Sequence, residues 1–193
     1  MLFPTTNIIL SGVGGQGILL ASAVISQAAM VSGNDVKTNE VHGMAQRGGS
    51  VIAQIRFGEK VFSPLIKKGD ADFLVALEKV EAVRYADYLK SDGVAIVNMQ
   101  KIVPVTVASG SATYPDNIDD VLKERLPNLK TLDCISIAEE IGNIRVANVV
   151  LIGVLSIHLP FSLETWENAI SDNVPQKALE ANMRAFSTGR AAF

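Results

Sequence analysis

The stretch Asn7-Ile8-Ile9-Leu10-Ser11-Gly12-Val13-Gly14-Gly15-Gln16-Gly17, with the alanine-rich run 18–31 behind it and Gly33 after that, decides the fold. Residues 7–10 are a short apolar run, the glycines turn the chain, and residues 18–31 carry the apolar spacing of a packed helix. Strand, tight turn and helix in that order form the repeating unit of α/β proteins.

Outward from this unit the same alternation continues. Residues 36–39 predict a weak strand and residues 40–49 a polar loop. Residues 50–57 place Val51, Ala53, Ile55 and Phe57 at alternate positions, the period of a strand with one buried face. Gly58-Glu59 predicts a hairpin into residues 60–62, ended by Pro64. Residues 73–77 are a continuous apolar run suited to a central parallel strand, and residues 80–89 suit a helix covering the sheet. Asp92-Gly93 predicts a turn into a buried strand over 94–98. Residues 103–107 and 129–134 are further strand candidates, flanking a helix over 118–126 that Pro127 stops. The last third reads as helices over 136–141, 147–158, 162–172 and 176–187, divided by Pro160 and Pro175, with Ser162 as an N-cap. The expected architecture is α/β: a single three-layer domain over residues 1–193, with a mostly parallel sheet, a hairpin extension and a helix-rich C-terminal third.

With 193 residues the chain is long enough for one sizeable core. Hydrophobic residues make up 48% against 19% charged, and the mean hydropathy is +0.28, so disorder is excluded and surplus apolar surface points to a partner. The same surplus leaves open a homodimer of the isolated chain. A net charge of -3 without a Lys/Arg run excludes a phosphate-backbone binder, so no nucleic acid partner is expected. Cys134 is the single cysteine, which rules out an internal disulfide and the four thiolates of an iron-sulfur cluster, and fits a reducing, cytoplasmic setting. No basic region precedes Ile8, and glycines interrupt the apolar stretch at once, so no signal peptide is expected. The longest apolar run, 148–159, is too short for a bilayer core of roughly 30 Å, so no membrane partner is expected either.

Gly12, Gly14 and Gly17 satisfy G-x-G-x-x-G between strand and helix, where free backbone N–H groups and the helix dipole can hold a pyrophosphate. Glu40 lies about 20 residues beyond, the place of the acidic residue in a dinucleotide fold. Against this, Val36 is the lone strongly apolar residue of the second strand, where a central strand needs many. A ligand-free tight turn and an anion-binding loop stand level on the local pattern, and Gln16 favours a polar contact made outside the chain's own core.

The segment His42-Gly43-Met44-Ala45-Gln46-Arg47-Gly48-Gly49 joins a weak strand to a strong one. Arg47 offers a planar fork for carboxylate or phosphate, and Gly48-Gly49 allow close approach of a substrate or a partner backbone. An ordinary surface loop with Arg47 paired to Glu40 is the alternative. His42 lacks companions at metal-ligand spacing. His158 and Cys134 receive no catalytic role, Asp70 and Asp72 read as a solvated turn, and Trp166 and Phe186 read as packing residues.

Gly12-Val13-Gly14-Gly15-Gln16-Gly17 together with Gln46-Arg47-Gly48-Gly49-Ser50-Val51 closely resembles the gamma domain of 2-oxoacid:ferredoxin oxidoreductases. The segments Phe73-Leu74-Val75-Ala76-Leu77-Glu78, Asn148-Val149-Val150-Leu151-Ile152-Gly153 and Glu180-Ala181-Asn182, with Phe186 and Gly189, extend the resemblance over nearly the whole chain. Met44-Ala45-Gln46-Arg47-Gly48-Gly49 is most similar to the beta subunit of indolepyruvate:ferredoxin oxidoreductase, with the pyruvate, 2-oxoisovalerate and 2-oxoglutarate enzymes of the family left open.

The resemblance implies an accessory subunit of a complex that decarboxylates a 2-oxoacid on thiamine diphosphate, passes the acyl group to coenzyme A and sends electrons through iron-sulfur clusters to ferredoxin. Gly69-Asp70-Ala71 departs from the thiamine motif at its third position, so thiamine diphosphate and the clusters belong to partner subunits and no cofactor to this chain alone. No catalytic residue or metal ligand is expected here. Gly12, Gly14, Gly15, Gln16, Gly17, Gln46, Arg47, Gly48 and Gly49 are expected to face the active-site junction, with Arg47 as its anion contact. A freestanding dinucleotide-binding protein using Gly12, Gly14, Gly17 and Glu40 is the alternative.

Overall fold

The computed structural model describes residues 5–43, 48–126 and 128–193. Strand β1 (Thr6–Val13) leads through the glycine turn into helix α1 (Ile18–Val31), then β2 (Asp35–His42) and β3 (Ser50–Gly58). Next come β4 (Ala71–Ala76), α2 (Lys79–Tyr85), β5 (Leu89–Asn98), α3 (Val105–Ala108), α4 (Ile118–Arg125) and β6 (Leu129–Leu132). The chain ends with α5 (Cys134–Ile141), α6 (Ala147–Ser156), α7 (Leu163–Asn173) and α8 (Leu179–Arg190).

One six-stranded sheet runs in the order β2-β3-β1-β4-β5-β6. Strands β1, β4, β5 and β6 pair in parallel, and β3 pairs antiparallel with both β1 and β2. The period of two sorts side chains between the sheet faces. Ile8, Leu10, Val51, Ala53, Ile55, Val75 and Ile96 pack on one side with α1 and the late helices, while Ile9, Ile52, Leu74, Ala76, Ala95 and Val97 pack on the other with α2 and α4. Three layers result. Each fully buried Ile or Leu contributes roughly 1.5–3 kcal/mol of apolar transfer, which is why β1 and β4, buried on both faces, anchor the domain.

The late helices form one body on the first face. Trp166, 0% exposed, stacks between Phe161 and Phe186 at ring distances of 5.6 and 6.0 Å. Helices α6 and α8 cross with their backbones in contact at two glycines. A Cβ on Gly153 would lie 2.3 Å from the Phe186 carbonyl oxygen, and one on Gly189 would lie 2.0 Å from the Val150 carbonyl oxygen. The Ser162 hydroxyl caps α7 by accepting from Thr165 N, as expected.

Several expected elements differ. The hairpin is made by β2 and β3, not by residues 60–62, because β3 already has a partner on each side and offers no free edge. Residues 60–62 instead form an irregular connection in which Val61 N donates to Asp35 Oδ2 at 2.9 Å. The strand expected over 103–107 is the short helix α3, whose first turn is closed by Val107 N and Ala108 N on the Pro104 carbonyl. Proline's fixed φ suits a helix start better than a sheet ladder. The helix expected over 80–89 stops at Tyr85, a 3-10 turn covers Ala86–Tyr88, and Leu89 already belongs to β5. Asp92 and Gly93 lie within β5 at a register shift, where a Cβ on Gly93 would press on Leu89 Cδ1 at 2.7 Å. Cys134 opens α5, with Asp133 as its N-cap, rather than ending a strand. Pro127 lies outside the described residues.

Candidate functional site

The glycine turn sits where the sheet's connections diverge. From β1 the chain crosses by α1 toward β2 on one side, while from β4 it crosses by α2 toward β5 on the other. Such a divergence at the carboxyl ends of parallel strands opens a crevice between neighbouring loops. The antiparallel register Val13↔Ser50 then delivers the second glycine loop to the same edge. Gly14 N donates to the Gly49 carbonyl at 2.9 Å, and Gly43 N donates to the Ser50 carbonyl at 2.9 Å. The structure thus brings Gly12, Gly14, Gly15, Gln16 and Gly17 together with Gly48 and Gly49. Gln46 and Arg47 lie outside the described residues.

Glycine is needed at specific points of this turn. Gly15 and Gly17 adopt φ of 101° and 79°, a region that favours glycine over any L side chain. A Cβ on Gly17 would also lie 2.5 Å from Asn148 Nδ2, which donates to the Gly17 carbonyl at 3.0 Å. The Gly15, Gly17, Ile18 and Leu19 N–H groups meet no acceptor among the described residues and stand at the start of α1, an arrangement suited to an anion.

Gln16 overturns the expectation of an outward contact. Its Oε1 accepts from Val13 N at 2.7 Å, while Nε2 donates to the Leu77 carbonyl at 2.8 Å and to Gln100 Oε1 at 2.7 Å. The side chain is turned inward and ties the glycine loop to the ends of β4 and β5. It also fills the space over Gly12, where a Cβ would lie 2.7 Å from Gln16 Oε1.

Cavities flank the loop on both sides. One of about 400 Å³ is lined by Gly15, Gln16, Gly17, Gln100, Arg145 and Asn148. Another of about 340 Å³ is lined by Val13, Gly14, Gly15, Leu19, His42 and Val51. Exposed Leu19 and Ile144, at 49% and 54%, add apolar surface beside them. Gln100 and Arg145 escaped the sequence reading, and Asn148 entered it only within the segment 148–153 that carries the resemblance, because each is distant in the chain and joins the site through packing around the glycine turn. The Arg145 guanidinium is exposed and has no carboxylate partner among the described residues.

The dinucleotide geometry fails at Glu40. In register, Glu40 pairs with Ala53 and Ala53 with Leu10, so β3 lies between the acidic residue and the glycine strand. Two strand spacings, about 10 Å, separate what a dinucleotide site needs side by side. The antiparallel insertion also explains the polar second strand: β2 is a sheet edge, not a central strand.

The remaining titratable candidates have structural roles. Cys134 is 0% exposed and its thiol is pushed up to about 12 by burial and then by the neighbouring Asp133, so it stays protonated and unreactive. Burial, then the Lys130 charge, holds His158 below the ordinary imidazole value. Asp72 is ion-paired to Lys90 and accepts from Asn7 N, so the expected solvated turn holds for Asp70 only. No cluster of His, Cys, Asp or Glu able to hold a metal occurs among the described residues, nor is any of their helices long and apolar enough to cross a membrane.

Comparison with known proteins extends over nearly the whole chain. The profile of the pyruvate ferredoxin/flavodoxin oxidoreductase family matches residues 7–192. Indolepyruvate oxidoreductase subunit IorB of Thermococcus kodakarensis is 45% identical over 188 residues, covering 95% of this chain and 93% of that protein. The IorB subunit of Pyrococcus horikoshii is 44% identical over 189 residues, with 95% and 93% covered. Among solved structures, the gamma subunit of keto/oxoacid ferredoxin oxidoreductase from Geobacter sulfurreducens superposes with a TM-score of 0.68 at 26% identity, covering 95% of each chain.

Proposed function

This chain belongs to the pyruvate ferredoxin/flavodoxin oxidoreductase family, and on that premise we propose that it is the small accessory subunit of a 2-oxoacid:ferredoxin oxidoreductase acting on indolepyruvate. The relatives at 45% and 44% identity carry that substrate in their names and match in length. One cysteine cannot supply a cluster's four thiolates, and Gly69-Asp70-Ala71 departs from the thiamine motif, so the redox and thiamine chemistry is assigned to partner chains. The subunit acts as one gamma-type domain over residues 1–193, in the cytoplasm, and is inactive alone.

Its contribution is a docking face. The observation that carries this reading is the Gly14–Gly49 hydrogen bond, which holds the end of the second glycine motif, Gly48-Gly49, against the first at one edge of the sheet. Gly14, Gly15 and Gly17 with Gln46, Arg47, Gly48 and Gly49 make the junction with the thiamine-binding subunit, while Gln16 braces the turn from inside over the buried Gly12. Backbone N–H groups and the Arg47 and Arg145 guanidinium groups suit the phosphates of coenzyme A as it approaches the acyl group. Apolar Leu19 and Ile144 beside the cavities supply area to bury against the partner.

Co-expression with the thiamine-binding and iron-sulfur chains, followed by size exclusion and indolepyruvate-dependent viologen reduction, tests it. Co-elution and a requirement for this chain are expected. A core that is fully active without binding it would sink the reading.

A further inference from the structure

Buried charge lies directly beneath the second glycine loop. Glu81 is 4% exposed, in the first turn of α2. Glu78, three residues earlier, caps that helix by accepting from Glu81 N at 3.0 Å. At this spacing a glutamate ordinarily reaches back to the N-cap backbone to complete a reciprocal cap. Glu81 does not. Its Oε2 accepts from the Ser50 hydroxyl and its Oε1 from Arg84 Nε at 3.1 Å. The Tyr85 hydroxyl stands 3.2 Å from Ser50 Oγ, and the Ser11 hydroxyl donates to the Glu81 carbonyl at 3.4 Å.

Ser50 is the hinge between loop and sheet. It opens β3, pairs with Val13, and accepts from Gly43 N. Immediately before it, Gly49 accepts from Gly14. Gly48, at φ 77°, has no side chain of its own to hold the limb in place. We propose that Glu81 is a positioning residue, whose buried carboxylate sets Ser50 and through it the Gly48–Gly49 limb that faces the partner junction. This rests on the docking function proposed above and deepens it.

The physical case is that a carboxylate taken out of water is costly and rarely repays its desolvation in stability, so an apolar residue of like volume would hold the core as well. What an apolar residue cannot do is accept from Ser50. Stability and positioning therefore separate in one substitution. Glu81→Met keeps volume and leaves Arg84, half-exposed at 52%, to be solvated.

The test uses the reconstituted complex with Glu81→Met, Ser50→Ala and Ser50→Thr. Melting of each isolated variant is measured alongside kcat and KM for coenzyme A in the complex. The expected result is a KM raised about threefold to tenfold, the range of one lost hydrogen bond, in Glu81→Met and Ser50→Ala. Melting of Glu81→Met stays near wild type, and Ser50→Thr, which restores a hydroxyl, returns KM to wild type. Unchanged KM in Glu81→Met, whether or not its melting point falls, overturns the proposal. If the wild-type chain itself neither binds nor stimulates the core, the docking function has failed and not this inference alone.

Discussion

Gln16 and Leu77, sixty-one residues apart in sequence, are joined by a 2.8 Å hydrogen bond from the glutamine Nε2 to the leucine carbonyl. That bond, with the one from Val13 N to Gln16 Oε1, makes the glycine turn a braced part of the sheet edge rather than a free loop. A braced edge can present N–H groups in fixed positions, which a docking face requires.

Removing the brace exposes its worth. Gln16→Ala leaves Val13 N without its acceptor at a partly buried site, which costs about 1–3 kcal/mol. Urea unfolding of the isolated chain should show a midpoint lowered to match, with the slope unchanged. A variant as stable as wild type would mean that water replaces the side chain at no cost.

The crossing of α6 on α8 gives a sharper expectation. Gly153→Ala and Gly189→Ala each drive a methyl into a backbone carbonyl of the facing helix, and no side chain can move aside to relieve it. Overpacking typically costs about 1–3 kcal/mol and more where backbone must shift, so each variant should lose at least about 3 kcal/mol. Thermal melts followed by circular dichroism read this directly, and a loss under about 1 kcal/mol would contradict the close crossing.

Acid should loosen the fold through His158. Burial and Lys130 lower its affinity for a proton below that of a free imidazole, ordinarily at 6.5, so the unfolded chain takes up the proton first. Stability present above that value is lost as pH falls through the folded group's lower one. Asp72 and Lys90 line the cavity that His158 shares, the Lys130 charge acts on the ring, and its Phe73 neighbour, with ring centroids 5.9 Å apart, offers no acceptor. Denaturant midpoints between pH 7 and 5 should decline in the wild type and flatten in His158→Phe.

Arg47→Ala is expected to leave the melting point of the isolated chain unchanged, because the proposed function gives Arg47 its role at the junction and not in the chain's own stability. In the assembled complex it should raise the coenzyme A concentration needed for half-maximal rate or lower turnover. Loss of one charge-assisted contact corresponds to about tenfold or more. Steady-state constants equal to wild type would assign the loop to packing alone.

The fold was legible wherever a local signal coincided with the tertiary environment. Helix α1 matches its expected bounds, 18–31, because its apolar spacing, its glycine start and its glycine end agree. Residues 60–62 and 103–107 were misread because short apolar runs do not reveal whether a strand partner is free. In both places the partner was lacking or a proline favoured a helix start. The glycine loops were legible as motifs, but Gln16 pointed the wrong way, since nothing local announces that Leu77 and Gln100 wait for its amide. Arg145 and Glu81 were silent for the same reason, and Asn148 stood out only as part of a matching segment, not as a site residue. Each joins the site by a contact made only after the sheet has closed.

The same closure decides against a private nucleotide pocket. A dinucleotide fold places its acidic residue on the strand next to the glycine strand, within reach of a ribose whose pyrophosphate rests on the helix start. Here β3 occupies that neighbouring position, and Glu40 sits one strand further out, exposed at the sheet edge. Gln16 further closes the turn over Gly12, where glycine in such a motif serves the tight turn. Calorimetry of the isolated chain with nicotinamide or flavin dinucleotide should therefore record no heat attributable to micromolar binding. Micromolar affinity that Glu40→Ala abolishes would reinstate the nucleotide reading, because Glu40 is the acidic residue such a site would use for the ribose.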